Sequence, residues 1–165
     1  MPLDLKPFDE YVSSLPRKRM SAGVLYRDQD DRILLVETTY KEHWDIPGGV
    51  VNENEAPWDT AVREVREEIG ITRPLGALLV IDHVHAVDRM PEGLAFIFDG
   101  GTITEHEVSG LQLRDGELRA AFLLPLADAR SRMKPALAGR LEAALTAARG
   151  KGLVFCDDGT PRTEL

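Results

Sequence analysis

Apolar side chains along this chain fall into short runs rich in Val, Ile, Leu and Phe, separated by clusters of Asp, Gly and Pro. That spacing predicts strands joined by turns, with helices where the apolar period lengthens. "SAGVLYR" (21–27) and "RILLVET" (32–38) flank the turn-like "DQDD" and predict a hairpin at the start of the main fold. "GALLVIDHVHAV" (76–87) and "GLAFIFDGGTI" (93–103), joined by "DRMPE", predict the next strands. "HEVSGLQL" (106–113) and "LRAAFLLP" (118–125) predict a further pair around "RDGE". A mixed or mostly antiparallel sheet is expected.

Two helices frame this sheet in the sequence. Leu5, Phe8, Tyr11, Val12 and Leu15 suit a short amphipathic helix over residues 3–15, ended by Pro16. "PALAGRLEAALTAARG" (135–150) predicts a strong helix stopped by Gly150, and "DDGTPRTEL" (157–165) reads as a loose tail. The expected division is an N-terminal extension over 1–19, one domain over 20–150 and a C-terminal tail over 151–165.

A third helix lies inside the sheet region, within "NENEAPWDTAVREVREEIG" (52–70). Asn54 is a candidate N-cap, Pro57 suits the first turn, and Gly70 suits a left-handed exit. Ala61, Val62, Val65 and Ile69 form one apolar stripe that can pack on the sheet and leave the charged residues outside. At about 100° per residue, Glu64, Glu67 and Glu68 share an arc of about 100° on that charged side. Arg63 and Arg66 offset them, Arg63 as the i,i+4 partner of Glu67, and charge runs are usually solvated faces, so periodicity alone favours a solvated helix surface. The alternative is a site for a hard divalent cation held by carboxylates, substrate phosphates and water. The adjacent glycines of "WDIPGGVV" would let backbone approach a metal or phosphate closely.

Composition narrows the partners. A chain of 165 residues, 43% hydrophobic and 29% charged, can bury a core of its own, which excludes collagen-like and wholly disordered classes. The balance of 20 Lys+Arg against 28 Asp+Glu, a net charge of −8, argues against a broad basic surface for duplex nucleic acid. Cys156 is the single cysteine, which rules out an intramolecular disulfide and argues against a cysteine-based zinc site. The opening residues lack a basic segment followed by an apolar one, and no run approaches the length of a membrane span. A cytoplasmic location without a membrane partner is expected.

The residues around the acidic helix resemble those of the Nudix hydrolases, whose box reads G-x5-E-x7-R-E-U-x-E-E-x-G-U with U aliphatic. Gly49, Glu55, Arg63, Glu64, Val65, Glu67, Glu68, Gly70 and Ile71 match every position. Average residue usage makes a chance match in a chain this size rarer than roughly one in a million, which reverses the preference for a merely solvated face. The likeness extends over most of residues 20–150, and the fold it implies is α/β, an α/β/α sandwich with a mixed β-sheet. By the same resemblance Glu64, Glu67 and Glu68 would bind Mg2+ or Mn2+, with a backbone carbonyl of Gly48 or Gly49 as a further oxygen. Glu55 and Arg63 would form a supporting ion pair.

The family often uses another glutamate outside the box, as a ligand or general base. Glu117 resembles its usual placement, and Glu105 and Glu107 are rivals. The implied reaction is hydrolysis of a diphosphate linkage, most commonly in a nucleoside diphosphate derivative or nucleotide, by water attack at phosphorus. Glu64, Glu68 or the outlying glutamate would take the proton. Tyr40, Trp44, His83, His85 and Phe96 are candidate substrate contacts; each is also an ordinary core, loop or sheet residue in its sequence context. A metal-dependent isomerase on the same scaffold is an alternative. A ligand sensor without catalysis is disfavoured by the intact carboxylate set, and no DNA-binding extension is recognisable. The family contains many dimers, so a homodimer exchanging residues 1–20 or the tail is a further expectation.

Overall fold

The structure, a computed structural model, describes residues 5–113 and 116–164. Met1 to Asp4, which include the first two residues of the expected first helix, Arg114 and Asp115 of "RDGE", and Leu165 of the tail lie outside the described residues. The chain runs through α1 (Phe8–Ser14), β1 (Arg19–Arg27), β2 (Ile33–Thr38), β3 (Gly48–Val50) and α2 (Pro57–Ile69). It continues through β4 (Leu78–Val84), β5 (Gly93–Thr102), α3 (Glu105–Ser109), β6 (Leu118–Leu124) and α4 (Leu126–Ala129). α5 (Pro135–Thr146), β7 (Val154–Asp157) and β8 (Thr160–Pro161) complete it.

Among the described residues the strands form one mixed sheet in the order β6-β2-β1-β5-β4-β7-β8, with β3 also paired to β1. β1 is parallel to β5 and β4 to β7, and the other pairings are antiparallel. The predicted hairpin forms, but β1 and β2 meet as paired strands only at Arg27 and Ile33 and then diverge. Residues 45–50 enter the gap: Val36 and Asp45 exchange backbone hydrogen bonds, Val24 donates to Pro47, and Gly48 and Gly49 pair with Gly23 and Ala22. That wedge carries the glycine pair into the middle of the molecule.

Period-two alternation divides the core into two layers. Ala22, Val24, Tyr26, Leu34 and Val36 face Ala61, Val65 and Ile69 of α2. Leu25, Ile33, Leu35, Val80 and Ile97 face Ala138, Leu141 and Leu145 of α5. The helix–sheet–helix layering matches the α/β/α expectation.

Several expectations are corrected. The helix at 57–69 is capped by Ala56 with no side-chain cap bond, whereas Asn54 sits in the preceding loop at φ 61°. Gly70 does take the left-handed exit, at φ 73°. Val62 is exposed, while Thr60 and Glu68 are buried instead, so the charged side is not wholly outside. "HEVSGLQL" does not pair as a strand: Glu105–Ser109 is α3, begun by a reciprocal Thr104–Glu107 capping box. β6 pairs with β2 instead. The expected loose tail adds β7 and β8 to the sheet, with Val154–Asp157 parallel to Val80–His83. α1 forms, but it buries none of its residues, and Leu5, Phe8, Tyr11, Val12 and Leu15 are all exposed.

Candidate active site

α2 presents its acidic side to the loop that precedes it, and one arginine organises the meeting. Arg63 donates from Nε to Glu55 Oε1 (2.7 Å) and from Nη2 to Glu55 Oε2 (2.9 Å). Its Nη1 reaches Glu64 Oε1 at 2.7 Å and Glu67 Oε2 at 3.2 Å. Glu55 also accepts from the Asn52 N–H and the Thr60 hydroxyl, which tie the loop to the helix. The two-pronged bond from Arg63, with the Thr60 and Asn52 donors, pulls the Glu55 carboxyl down to about 2. Glu55, then Glu64 and Glu67, hold Arg63 above the ordinary arginine range against the opposing effect of desolvation. The ion pair expected between Glu55 and Arg63 is present, and the same guanidinium keeps Glu64 and Glu67 from facing each other uncompensated.

Glu68 turns the other way. It is 5% exposed. Its Oε2 accepts the Gly48 N–H at 3.0 Å, which joins the end of α2 to the start of β3. Gly48, at φ 150°, lies so near β1 that a Cβ there would collide with Ala22 O and Gly23 Cα. A Cβ on Gly49 would run into the Glu64 carboxylate. Close approach to the β1 backbone therefore requires glycine at 48, and a side chain at 49 would displace the Glu64 carboxylate.

These groups open onto a cavity of about 870 Å³. Gly48, Gly49, Glu64 and Glu68 line it together with Glu117, Tyr40, Trp44 and Phe96. Glu67 stands beside this group, on the same Arg63 nitrogen as Glu64. Glu105 pairs with Arg32 at 2.9 Å, and Glu107 caps α3 and pairs with Arg73, so both are engaged away from the cavity walls. Trp44 has a mixed position: it packs against Phe122 with ring centroids 4.5 Å apart, lies under the Arg132 guanidinium, and still borders the cavity.

His83 and His85 do not line the cavity. They gather at the end of β4 around Asp157, which the bonded imidazoles hold below its usual range. Sequence reasoning also missed the basic lining: Arg19, Lys41, Lys134 and Arg140 border the same space. The cluster "YKEHWD" between β2 and the glycines carries a signal for Lys41, but Lys134, just before α5, and Arg140, within it, are brought in by tertiary packing alone. Burial would lower the Lys41 ammonium, but Asp45 outweighs it and leaves the group raised.

The donor set fits a hard divalent cation. Glu64 and Glu68 supply carboxylate oxygens on the cavity wall, backbone at Gly48 and Gly49 stands within the same lining, and no sulfur or imidazole from the acidic helix intervenes. Oxygen donors of this type favour hard divalent ions over softer ones.

A family model for the NUDIX domain matches residues 17–144. The chain belongs to the NUDIX domain family. Among curated relatives, diphosphoinositol polyphosphate phosphohydrolase 2 of Mus musculus is 42% identical over 66 residues, 39% of this chain and 37% of that protein. The match thus spans well under half of that relative's length. Among solved structures, the MutT protein from Methanosarcina mazei Go1 aligns with a TM-score of 0.64 at 23% identity, covering 83% of this chain and 98% of that one. An ADP-ribose pyrophosphatase from Streptococcus suis 89-1591 aligns with a TM-score of 0.61 at 20% identity, covering 86% and 99%. At these identities the structural likeness speaks for a shared fold alone.

Proposed function

We propose that this NUDIX chain hydrolyses a diphosphate linkage, with Mg2+ or Mn2+ held by Glu64, Glu67 and Glu68 and by a carbonyl of Gly48 or Gly49. The observation that carries this reading is the convergence of Glu64, Glu68, Glu117 and the glycine pair on one cavity large enough for a nucleotide-sized ligand. When bound, the cation would neutralise phosphate charge and acidify water.

The chain's own groups supply the rest. Arg63 holds Glu64 and Glu67 in register through one nitrogen, and the Gly48 N–H fixes the rotamer of Glu68. Glu64, Glu68 and Glu117 share the wall with Glu42 and Asp45, and are the three assigned to accept a proton from water as it attacks phosphorus. Tyr40, Trp44 and Phe96 offer aromatic surface for a base or other leaving group, and Lys41, Lys134 and Arg19 offer cations for the remaining phosphates. Glu55 and Arg63 act as positioning residues through the loop and helix they join. This substrate reading favours a nucleoside diphosphate derivative or nucleotide. The basic lining also suits a more highly phosphorylated substrate, as the name of the Mus musculus relative suggests.

A screen of nucleotides, nucleoside diphosphate derivatives and diphosphoinositol polyphosphates with added Mg2+ or Mn2+ tests both readings. Hydrolysis is expected, falling by about 100-fold or more in Glu67→Gln and Glu68→Gln. Glu117→Gln separates a base in the cavity from a bystander by its pH–rate profile. Binding without turnover by any of these compounds would reject the hydrolase reading, and so would glutamine variants of full activity.

A further inference from the structure

Outside the cavity, β4, β5 and β7 bring a second set of ligating side chains together. His83 pairs across the sheet with Leu94 on β5 and with Asp157 on β7. Beyond the strand end, the His85 N–H donates to Asp158 Oδ1 at 2.9 Å, and the Asp158 N–H donates back to His83 O at 2.9 Å. Backbone bonds therefore fix the positions of both histidines against the β7–β8 turn, independently of what their rings do.

The rings stand edge-on, 4.9 Å between centroids. Asp157 Oδ1 lies 3.3 Å from His83 Nδ1 and 2.6 Å from His85 Nε2. Among the described residues, these form the one group of three ligating side chains whose donor atoms all lie within 4.8 Å of one another. Two ligands on a tetrahedral zinc ion, with bonds of about 2.0–2.1 Å, stand roughly 3.3 Å apart. The His83–Asp157 spacing already has that value, and His85 needs to open from Asp157 by under about 1 Å to match it.

A separate contact completes the arrangement. His83 Nε2, the nitrogen turned away from Asp157, faces Glu92 Oε2 at 3.2 Å, and Glu92 is itself held by Lys18 at 2.6 Å. A carboxylate that takes the Nε2–H leaves the Nδ1 lone pair free to bind a metal, as in carboxylate–histidine–metal triads. His83 and Asp157 are half-buried and His85 is exposed, which leaves an entry path and an open fourth position for water.

We propose that His83 Nδ1, His85 Nε2 and an Asp157 carboxylate oxygen form a zinc site, with Glu92 orienting His83. Two imidazoles and one carboxylate favour zinc or a neighbouring transition metal over Mg2+, so this site is chemically distinct from the oxygen-only set beside α2. Binding replaces the protons shared among these groups and releases them to solvent. Its structural effect is to fasten the C-terminal β7–β8 segment to β4 and the end of the β4–β5 connection.

Calorimetric titration of the full chain with zinc in excess magnesium tests this, with cobalt(II) absorption as a reporter of tetrahedral coordination. The expected result is one zinc per chain, kept in Glu67→Gln and weakened at least about 10-fold in His85→Ala and Asp157→Asn. Glu92→Gln should weaken it by roughly 10–100-fold. Zinc should raise the thermal midpoint of the wild type and not of His85→Ala, whose fold circular dichroism checks in the absence of metal. The proposal is overturned if zinc fails to bind in excess magnesium. It is equally overturned if binding survives His85→Ala and Asp157→Asn unchanged, or is lost in Glu67→Gln instead.

Discussion

Asp82 is fully buried in β4, and Arg140 of α5 reaches it with Nε and Nη2, both 2.7 Å from Oδ2. The Gly159 N–H, from the β7–β8 turn, donates to the same carboxylate at 3.0 and 3.1 Å. One acid thus joins the sheet, the helix behind it and the C-terminal hairpin. Arg140→Leu would strand a buried carboxylate with the Gly159 N–H, and removing one member of a buried pair typically costs about 3–5 kcal/mol. For a chain of this size each kcal/mol moves the thermal midpoint by about 2–4 °C, so a fall of about 6–20 °C is expected. Replacing both residues, in Asp82→Leu/Arg140→Leu, removes both charges and leaves mainly the orphaned Gly159 N–H, at about 1–3 kcal/mol. The double variant should therefore be more stable than Arg140→Leu alone. Urea denaturation, with the slope checked for constancy, measures both changes. A single variant within about 1 kcal/mol of wild type, or a double variant worse than the single, would refute the assignment of this pair as a buried tie.

Two further predictions concern titrating groups. The Glu55 carboxyl, near 2 in the folded chain against about 4.3 unfolded, contributes stability that is present above the unfolded value and lost as pH falls through about 2. Wild type should lose more urea resistance than Glu55→Gln between about pH 5 and pH 2, and parallel losses would contradict the Arg63 and Thr60 contacts. Burial, with the Asp82 charge nearby, pushes the Cys156 thiol up to about 11. Native protein at about pH 8 should alkylate roughly 100-fold or more slowly than urea-unfolded protein, and equal rates would show that β7 is not seated on the sheet.

Legibility in the sequence followed locality. The hairpin, the helix ending at Gly70 and the strand runs at 78–84 and 93–102 each carry their signal within a few residues, and the structure contains them. α3 was legible too, but through Thr104 and Glu107 at capping-box spacing rather than through the loose alternation of "HEVSGLQL". β7 could not be read in this way. "LVFC" between Gly152 and "DDG" is too short to declare itself, and it becomes a strand because β4 offers a free edge more than 70 positions earlier in the chain. Lys134 and Arg140 of the cavity are hidden for the same reason: they lie on a segment that only folding brings against the glycine pair.

Within the acidic helix, angular position explains a difference that residue type does not. Taking Ala61 as the zero of the wheel, Val65 and Ile69 fall at about 40° and 80°, and Val62 at about 100°. Glu68 falls at about 340°, Glu64 at about 300° and Glu67 at about 240°. Exposure follows that order: Glu68 is 5% exposed, and the side chains of Glu64 and Glu67 are 18% and 46% exposed. Glu68 is therefore almost in line with Ala61 on the core stripe, and its burial follows from placement, not from any difference in chemistry. An acid at that angle must find donors, and the Gly48 N–H supplies one because the wedge at 45–50 delivers it there. The matched spacing of the box marks which carboxylates belong together, and the helical angle then grades them by depth, from one set against the glycine strand to one that still faces water.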